Sequence, residues 1–179
     1  MFEEYLQDAH ELLYSGNDAA NKSKEREAKR YFRAAVFYTA SAMEAFLNYI
    51  GDSFNKAETL SSHERAFLND YQLVFDPMKG SVITQTRYYG CDDKLKFLIH
   101  KFTPKYNIGK SKAWTNFIEF KGFRDSLIHP RQVDDEIEIN EYREKLQMGM
   151  FGTITLMNDI SKGVFKRPLR KKVLDLIPE

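Results

Sequence analysis

The fold is decided by the alanine-rich stretch Arg33-Ala34-Ala35-Val36-Phe37-Tyr38-Thr39-Ala40-Ser41-Ala42-Met43-Glu44-Ala45-Phe46-Leu47-Asn48. It lies within a longer pattern, from about Ser23 to Phe54, in which large side chains recur at helical spacing: Phe32, Val36, Thr39, Met43, Phe46 and Ile50. This spacing places the large residues on one face of an α-helix, and the alanines on the other faces let neighbouring helices approach closely. We therefore predict a long central helix that other helices surround.

The segments on both sides of this helix also have helical patterns. A first helix is predicted from about Phe2 to Tyr14, followed by a turn at Ser15-Gly16-Asn17-Asp18. Another is predicted to begin at Ser61 and Ser62 and to continue to about Val74. Later helices are expected near Asp92, from Ala113 to Ile128, from about Asn140, and over residues 173–177.

The segment from Met78 to Cys91 interrupts these patterns. It contains Gly80, Gly90 and several β-branched residues, which favour turns and strands, so we predict a loop or a short hairpin there. The chain contains no repeat and no linker-like stretch that would divide it. The sequence therefore predicts an all-α, single-domain helical bundle of five or six helices over residues 1–179.

The composition excludes several classes of protein. With 42% hydrophobic and 14% aromatic residues, the chain of 179 residues can bury a core, so disorder is not indicated. The formal net charge of +1 gives no overall signature of nucleic-acid binding, so any contact with RNA must use a local patch. The chain has a single cysteine, Cys91, so it cannot form an internal disulfide. Its first residues are acidic, unlike a secretory signal, and it has no apolar run long enough to span a membrane, so we predict neither export nor a membrane span. We therefore expect a cytoplasmic protein.

One dense basic cluster stands out in the sequence, within a predicted basic C-terminal tail that begins at about residue 164. Its cations are Lys166, Arg167, Arg170, Lys171 and Lys172. The cluster is either a solvated tail or helix end, or a surface that contacts the phosphate groups of RNA.

The strongest signal of chemistry is the segment Gly122-Phe123-Arg124-Asp125-Ser126-Leu127-Ile128-His129-Pro130. In a helix from Ala113 to Ile128, an apolar face contains Ala113, Phe117, Phe120, Phe123, Leu127 and Ile128. Arg124 falls near the middle of that face. Because an unpaired guanidinium in a buried seam carries a large desolvation cost, Arg124 should have a partner, a ligand or a cavity.

His129 is set apart from this helix by the proline that follows it. Pro130 disfavours helical geometry for the preceding residue, so the helix should end near Ile128, with His129 at or beyond its last turn. The helix dipole favours a charged imidazole there, and Asp125, four residues earlier, is placed to orient the ring. A permanent cation and a proton-exchanging group are a minimal set for acting on a phosphodiester.

Other chemical motifs are incomplete. Gly109-Lys110-Ser111 copies the end of a phosphate-binding P-loop, but Pro104 stands where that loop needs glycine, so Ser111 is better explained as a helix N-cap. The four histidines are dispersed and only one cysteine is present, so we predict no metal and no cofactor. Glu44, in the alanine-rich helix, either faces solvent or pairs with a cation such as Arg124.

Two segments together resemble the signature regions of HEPN domains, named for higher eukaryotes and prokaryotes nucleotide-binding. One is residues 33–48 and the other is residues 123–130. The defining pattern of the family is R-x-x-x-x-H, often with Asn, Asp or His directly after the arginine. Arg124, Asp125 and His129 match this pattern.

The resemblance implies a helical bundle, commonly a homodimer, in which the two regions meet across the interface as a metal-independent endoribonuclease site. Arg124 would stabilise the scissile phosphate, His129 would act on the 2'-hydroxyl or the leaving 5'-oxygen, and Asp125 would fix the geometry. Glu44 is a candidate supporting residue. The substrate would be single-stranded RNA and the product a 2',3'-cyclic phosphate. Such an enzyme would belong to a toxin, phage-defence or RNA-processing system, with an antitoxin or another protein as partner.

Two other hypotheses stand beside the ribonuclease. One is a non-catalytic HEPN-type module that binds a nucleotide, RNA or a partner protein. The other is purely structural: Arg124 pairs with Glu44 or Asp125, and His129 caps the helix. Two copies of Arg124 and His129 facing each other across a cleft would favour the enzyme, whereas an intrachain salt bridge at Arg124 with no cavity nearby would remove most of the support for that hypothesis.

Overall fold

The computed structural model describes residues 1–55, 58–128 and 137–178. These residues form seven α-helices, a 3-10 helix at Ile108–Lys110 and one β-hairpin. The elements are α1 Phe2–Asn21, α2 Glu25–Ser53, α3 Ser62–Leu68, β1 Tyr71–Asp76, β2 Ser81–Thr86, α4 Cys91–Phe102, α5 Lys112–Ile128, α6 Ile139–Phe165 and α7 Lys171–Leu174. The predicted helical bundle with a short insertion is confirmed.

Helix α2 is the centre of the bundle, as its alanine-rich sequence predicts. Its buried face includes Phe32, Ala35, Val36, Thr39, Ala42, Met43, Phe46 and Ile50. Helices α1 and α6 make extensive contacts with α2, and α3, α4 and α5 pack against other parts of it. The one polar group in this series is satisfied, because the Thr39 hydroxyl donates a hydrogen bond of 2.8 Å to the Ala35 carbonyl.

The turn predicted at residues 15–18 is wrong, because α1 continues through it to Asn21. Gly16 is buried in the contact between α1 and α2, where an added Cβ would overlap the ring of Phe32. A glycine that reads as a turn signal therefore serves as a point of close helix packing. The chain reverses later, at Ser23, whose φ of 58° lies in the left-handed region.

The helix predicted to continue to Val74 is also wrong, because it ends at Leu68 and the following residues form a strand. Strand β1 pairs antiparallel with β2, with Tyr71 opposite Thr86 and Asp76 opposite Ser81. The strand-favouring run Leu73-Val74-Phe75 prevails over the helical spacing. The hairpin is thus longer than the predicted segment and begins before it.

Asp70 joins the base of this hairpin to helix α4. Its carboxylate accepts a 2.7 Å bond from the Lys94 ammonium and a 3.0 Å bond from the Tyr89 backbone N–H. Its own carbonyl accepts a bond of 2.8 Å from the Arg87 N–H. One residue therefore holds both ends of the hairpin and a buried lysine of α4.

The segment predicted as a basic tail packs against the bundle. Helix α6 continues to Phe165, and beyond it Leu169, Val173 and Leu176 are buried in the main core. The short helix predicted near residue 173 is α7. Within the described ranges, no helix combines the length and apolar character needed to cross a membrane.

Candidate functional site

Helix α5 positions the predicted site by packing one face against α6. The buried residues of this face include Ala113, Phe117, Phe120 and Leu127, as predicted, whereas Ile128 is exposed. Arg124 lies at the edge of the buried face, with 22% of its side chain exposed, and not in its middle. The buried face is narrower than the predicted one because α6 covers only one side of α5.

Arg124 pairs with two carboxylates of its own chain. Its Nη2 lies 3.2 Å from Glu44 Oε1 on α2, and its Nη1 lies 3.1 Å from Asp125 Oδ1. The Nε atom is buried and has no hydrogen-bond partner among the described residues. The prediction that Arg124 needs a partner is therefore confirmed, and the partner is the one that the sequence suggested, Glu44, together with the adjacent Asp125.

A small cavity adjoins this ion pair. It measures about 10 Å³ and is lined by residues from α2, α4 and α5, among them Met43, Cys91, Phe117 and Arg124. This volume is about the minimum that holds one water molecule, so the cavity as it stands admits no nucleotide.

Cys91, which borders the cavity, is not a nucleophile in this arrangement. Burial, together with the nearby carboxylates of Glu44 and Asp92, raises the pKa of its thiol to about 12. Because the thiolate is the reactive form, the thiol is inert near neutral pH.

Lys121, which lines the cavity together with Arg124, and Lys96 share a carboxylate partner that the sequence did not predict. Lys121 lies 3.2 Å from Asp92 Oδ1, and Lys96 lies 3.2 Å from Asp92 Oδ2. Burial alone would raise the pKa of Asp92, but hydrogen bonds from Lys121 and Lys96 together lower it. The sequence does indicate that Lys121 is close to Arg124, because Lys121 lies three residues before Arg124 and so occupies the same side of α5.

The remaining member of the predicted triad, His129, lies outside the described residues, as does Pro130. The position of His129 at or beyond the last turn of the helix, and its distance from Arg124, therefore stay predictions. Asp125, which was expected to orient the histidine, has Arg124 as its partner in the described part of the chain.

The C-terminal cations make their contacts elsewhere. Arg170 and Lys172 lie 3.5 Å and 2.9 Å from Glu3 on α1, and the Lys166 ammonium donates to the Gly163 carbonyl at 2.7 Å. The Arg167 carbonyl accepts a bond from Ser161, and Lys171 is exposed. The structure thus brings Arg124, Asp125 and Glu44 together, whereas the ion pairs of the C-terminal cluster join α1.

Over the described ranges, no group of three or more His, Cys, Asp or Glu side chains is arranged to hold a metal ion. Comparison of the chain with protein-family models, with curated proteins and with solved structures found no match.

Proposed function

We propose that this protein is a metal-independent endoribonuclease of the HEPN type, which cleaves single-stranded RNA. The observation that supports this proposal is that the fold brings the two motif regions together, whereas the intrachain salt bridge between them favours the non-catalytic candidate considered below. Arg124, from the R-x-x-x-x-H segment, and Glu44, from the alanine-rich helix, lie 3.2 Å apart at a partly exposed edge of the bundle. The two regions are distant in the sequence, so their meeting requires the fold.

In the proposed reaction the 2'-oxygen of a ribose attacks the adjacent phosphorus and the 5'-oxygen of the next nucleotide leaves. A base accepts the proton of the 2'-hydroxyl, and an acid returns a proton to the 5'-oxygen. His129 would carry out one of these transfers, and Arg124 would stabilise the charge on the phosphorane. The products are a 2',3'-cyclic phosphate and a 5'-hydroxyl.

Both Nη atoms of Arg124 are paired with carboxylates but each keeps a second N–H, so a phosphate can join a carboxylate at the guanidinium or exchange with it. This exchange is inexpensive, since the side chains of Glu44 and Asp125 are 57% and 46% exposed. Ion pairs exposed to this degree contribute about 0–1 kcal/mol. A hydrogen bond between charged partners contributes about 1.5–3 kcal/mol, so a phosphate competes effectively for the guanidinium.

A homodimer is part of this proposal. The cavity next to Arg124 is too small to enclose a nucleotide, so a second copy facing the first would supply the missing wall of the site. An enzyme of this kind would act in the cytoplasm, within a toxin, phage-defence or RNA-processing system that includes an antitoxin or another partner protein.

The test is incubation of the purified protein with single-stranded RNA in EDTA, alongside its Arg124→Ala and His129→Ala variants. Arg26→Ala, an exposed arginine on α2, is the matched control. We expect cleavage by the wild type and the control only, and a product whose mass corresponds to a cyclic phosphate. Equal cleavage by all four folded proteins, or no cleavage by the wild type, would reject this site.

A second candidate function is a non-catalytic module that binds RNA, a nucleotide or a partner protein. It is favoured by the pairing of Arg124 with two carboxylates and by the small size of the adjoining cavity. Binding of RNA that is never cleaved, at an affinity that Arg124→Ala and His129→Ala leave unchanged, would support this candidate over the enzyme.

A further inference from the structure

Residues 94–118 form a locally basic segment, although the chain as a whole has a formal net charge of only +1. The segment contains six lysines and His100 but no aspartate or glutamate. The lysines are spaced along the segment and not clustered, so they do not read as a basic run. Lys94 is buried against Asp70, and the other five lysines are exposed. Of these five, Lys96 pairs with Asp92 and Asp93, and Lys101 pairs with Glu64.

The fold wraps part of this segment around an open groove of about 620 Å³. The lining residues with basic or aromatic side chains are Lys96, His100, Lys105, Tyr106 and Trp114. They come from α4, from the connection after it and from the first turn of α5. The Lys96 ammonium lies 6.0 Å from the centre of the Trp114 ring. Cationic and aromatic groups thus share one concave surface.

Ser111 contacts both aromatic residues, through the backbone of Trp114 and the side chain of Tyr106. Its hydroxyl accepts a hydrogen bond of 3.1 Å from the Trp114 backbone N–H, as an N-cap does, and it is also hydrogen-bonded to the Tyr106 hydroxyl. Both rings are half-buried, so one part of each packs on the protein and another part faces the groove. Rings fixed before binding lose little conformational entropy when a ligand stacks on them.

We propose that this groove binds single-stranded RNA, with the phosphates against Lys96 and Lys105 and with bases stacked on Trp114 and Tyr106. Lysines along a groove together with stacking platforms are the combination that single-stranded nucleic acids require. A duplex fits this chemistry poorly, because its base faces are already stacked within the helix. The choice of RNA as the polyanion rests on the proposed function.

The groove and the site at Arg124 are linked through Asp92 and helix α5. Lys96, in the groove, and Lys121, beside Arg124, contact the same carboxylate of Asp92. Trp114 and Arg124 belong to one helix and are separated by ten residues (124 − 114), which corresponds to about 15 Å along the axis. An RNA strand that occupies the groove therefore leads towards Arg124 along α5.

The binding test uses the fact that Trp114 is the single tryptophan of the chain. Its fluorescence is measured while an oligouridine of roughly 12 nucleotides, a length within the usual site sizes, is added to the whole protein. We expect the oligonucleotide to quench the fluorescence. We also expect the logarithm of the association constant to fall linearly with the logarithm of the salt concentration, with a slope of about −0.7 for each phosphate contact. Absence of quenching by this probe overturns the proposal.

The variants are compared by anisotropy of the same oligonucleotide carrying a fluorescent label. We expect Lys105→Gln and Trp114→Leu each to weaken binding by about tenfold, and Trp114→Phe, which keeps a stacking ring, to bind nearly as the wild type does. Lys79→Gln, an exposed lysine in the turn of the hairpin, is the matched control and should leave affinity unchanged. Circular dichroism checks that every variant is folded.

Two further outcomes separate the groove from the enzyme. The groove proposal is overturned if folded Lys105→Gln and Trp114→Leu bind the oligonucleotide as tightly as the wild type does. It is also overturned if the wild type binds duplex RNA or heparin equally tightly. Both results count against the groove even when the protein cleaves RNA. Conversely, quenching and loss of binding in those variants, with no cleavage by the wild type, supports the groove and rejects the ribonuclease.

Discussion

Arg124 on α5 and Glu44 on α2 are in direct contact, with 3.2 Å between Nη2 and Oε1, although they are far apart in the sequence. The two partners are unequally exposed: 22% of the Arg124 side chain is accessible, against 57% of Glu44. The guanidinium is therefore anchored in the protein, whereas the carboxylate is free to move into solvent. This asymmetry favours exchange of the carboxylate for another anion and limits what the pair adds to stability.

A double-mutant cycle of Arg124→Ala and Glu44→Ala measures that contribution. We expect a coupling free energy of about 0.2–1 kcal/mol, because one partner is mostly exposed. The coupling should decrease as salt is added, since exposed charges are screened. Urea unfolding of the four proteins gives the value. A coupling near 3 kcal/mol, as for a fully buried pair, would contradict this description of the site.

The ion pair between Lys94 and Asp70 should behave differently, because Lys94 is 5% exposed in its side chain and Asp70 27%. Asp70→Ala removes the partner of a buried ammonium and the hydrogen bond from the Tyr89 backbone N–H, so we expect a loss of about 2–4 kcal/mol in the free energy of unfolding.

The matched control for this loss is Lys22→Ala. Lys22 and Asp18 form a pair of nearly equal length, 2.6 Å, but both side chains are more than half exposed. That variant should lose well under about 1 kcal/mol. If the two substitutions cost the same in urea unfolding, burial is not what gives the Lys94–Asp70 pair its strength.

Glu64 makes stability depend on acidic pH. The Lys101 ammonium, at 2.7 Å, and the Ser61 N–H, at 2.8 Å, lower the pKa of this carboxyl from 4.5 to about 2. A carboxyl with a lowered folded pKa stabilises the protein above its unfolded pKa, and this contribution is lost as the pH falls from about 4.5 to about 2. Because the side chains are partly exposed, we expect about 1 kcal/mol.

Comparison of the wild type with Glu64→Gln checks this prediction. The difference in unfolding free energy should be greatest above pH 5 and should shrink steadily towards pH 2, as the carboxylate is protonated. His63→Gln, the neighbouring residue, controls for changes at the exposed start of α3. A difference that stays constant across this range would show that the Glu64 charge does not interact with Lys101 in the folded protein.

Alkylation of Cys91 should be slow in the folded protein. Burial raises the pKa of its thiol to about 12 from 9.0, so the reactive thiolate is roughly a thousandfold rarer than in the unfolded chain at the same pH. We expect iodoacetamide at pH 8 to modify the protein rapidly in urea and very slowly without it, as followed by mass spectrometry. Rapid modification under native conditions would mean that the cavity beside Arg124 opens readily.

Much of the helical framework was predictable, because amphipathic spacing and caps are local signals. Ser61 and Glu64 form the capping box that their spacing suggests, and Ser111 caps α5. The errors lie where packing overrides a local signal. Gly16 reads as a turn residue but permits contact with Phe32, and the helical spacing up to Val74 gives way to hairpin pairing.

The site was predictable in part. Arg124 pairs with Glu44 and Asp125, the two carboxylates that the structural hypothesis named, and the buried position expected for Arg124 required such a partner. The contact of Lys121 with Asp92 was not predictable from spacing, because it depends on how α4 and α5 pack. The groove around Trp114 depends in the same way on three separate segments.

The packing of α5 on α6 depends on Gly152, and a pair of glycine substitutions tests this. A Cβ at Gly152 would lie 2.8 Å from the Ala113 carbonyl oxygen and 2.8 Å from the Phe117 nitrogen. These are backbone atoms, which cannot rotate away as a side chain does, so Gly152→Ala must push the two helices apart. We expect it to lower the free energy of unfolding by about 1–3 kcal/mol.

Gly122→Ala is the matched control, because Gly122 belongs to α5 and an added Cβ would meet nothing within 4 Å. Alanine is the better helix former, so this variant should be more stable than the wild type by about 0.5–1 kcal/mol. If α5 packs directly against the backbone of α6, urea unfolding will show a lower free energy of unfolding for Gly152→Ala and a higher one for Gly122→Ala. Equal stability of the two variants would mean that the helices are not in this close contact, and the placement of Arg124 against Glu44, which depends on it, would need revision.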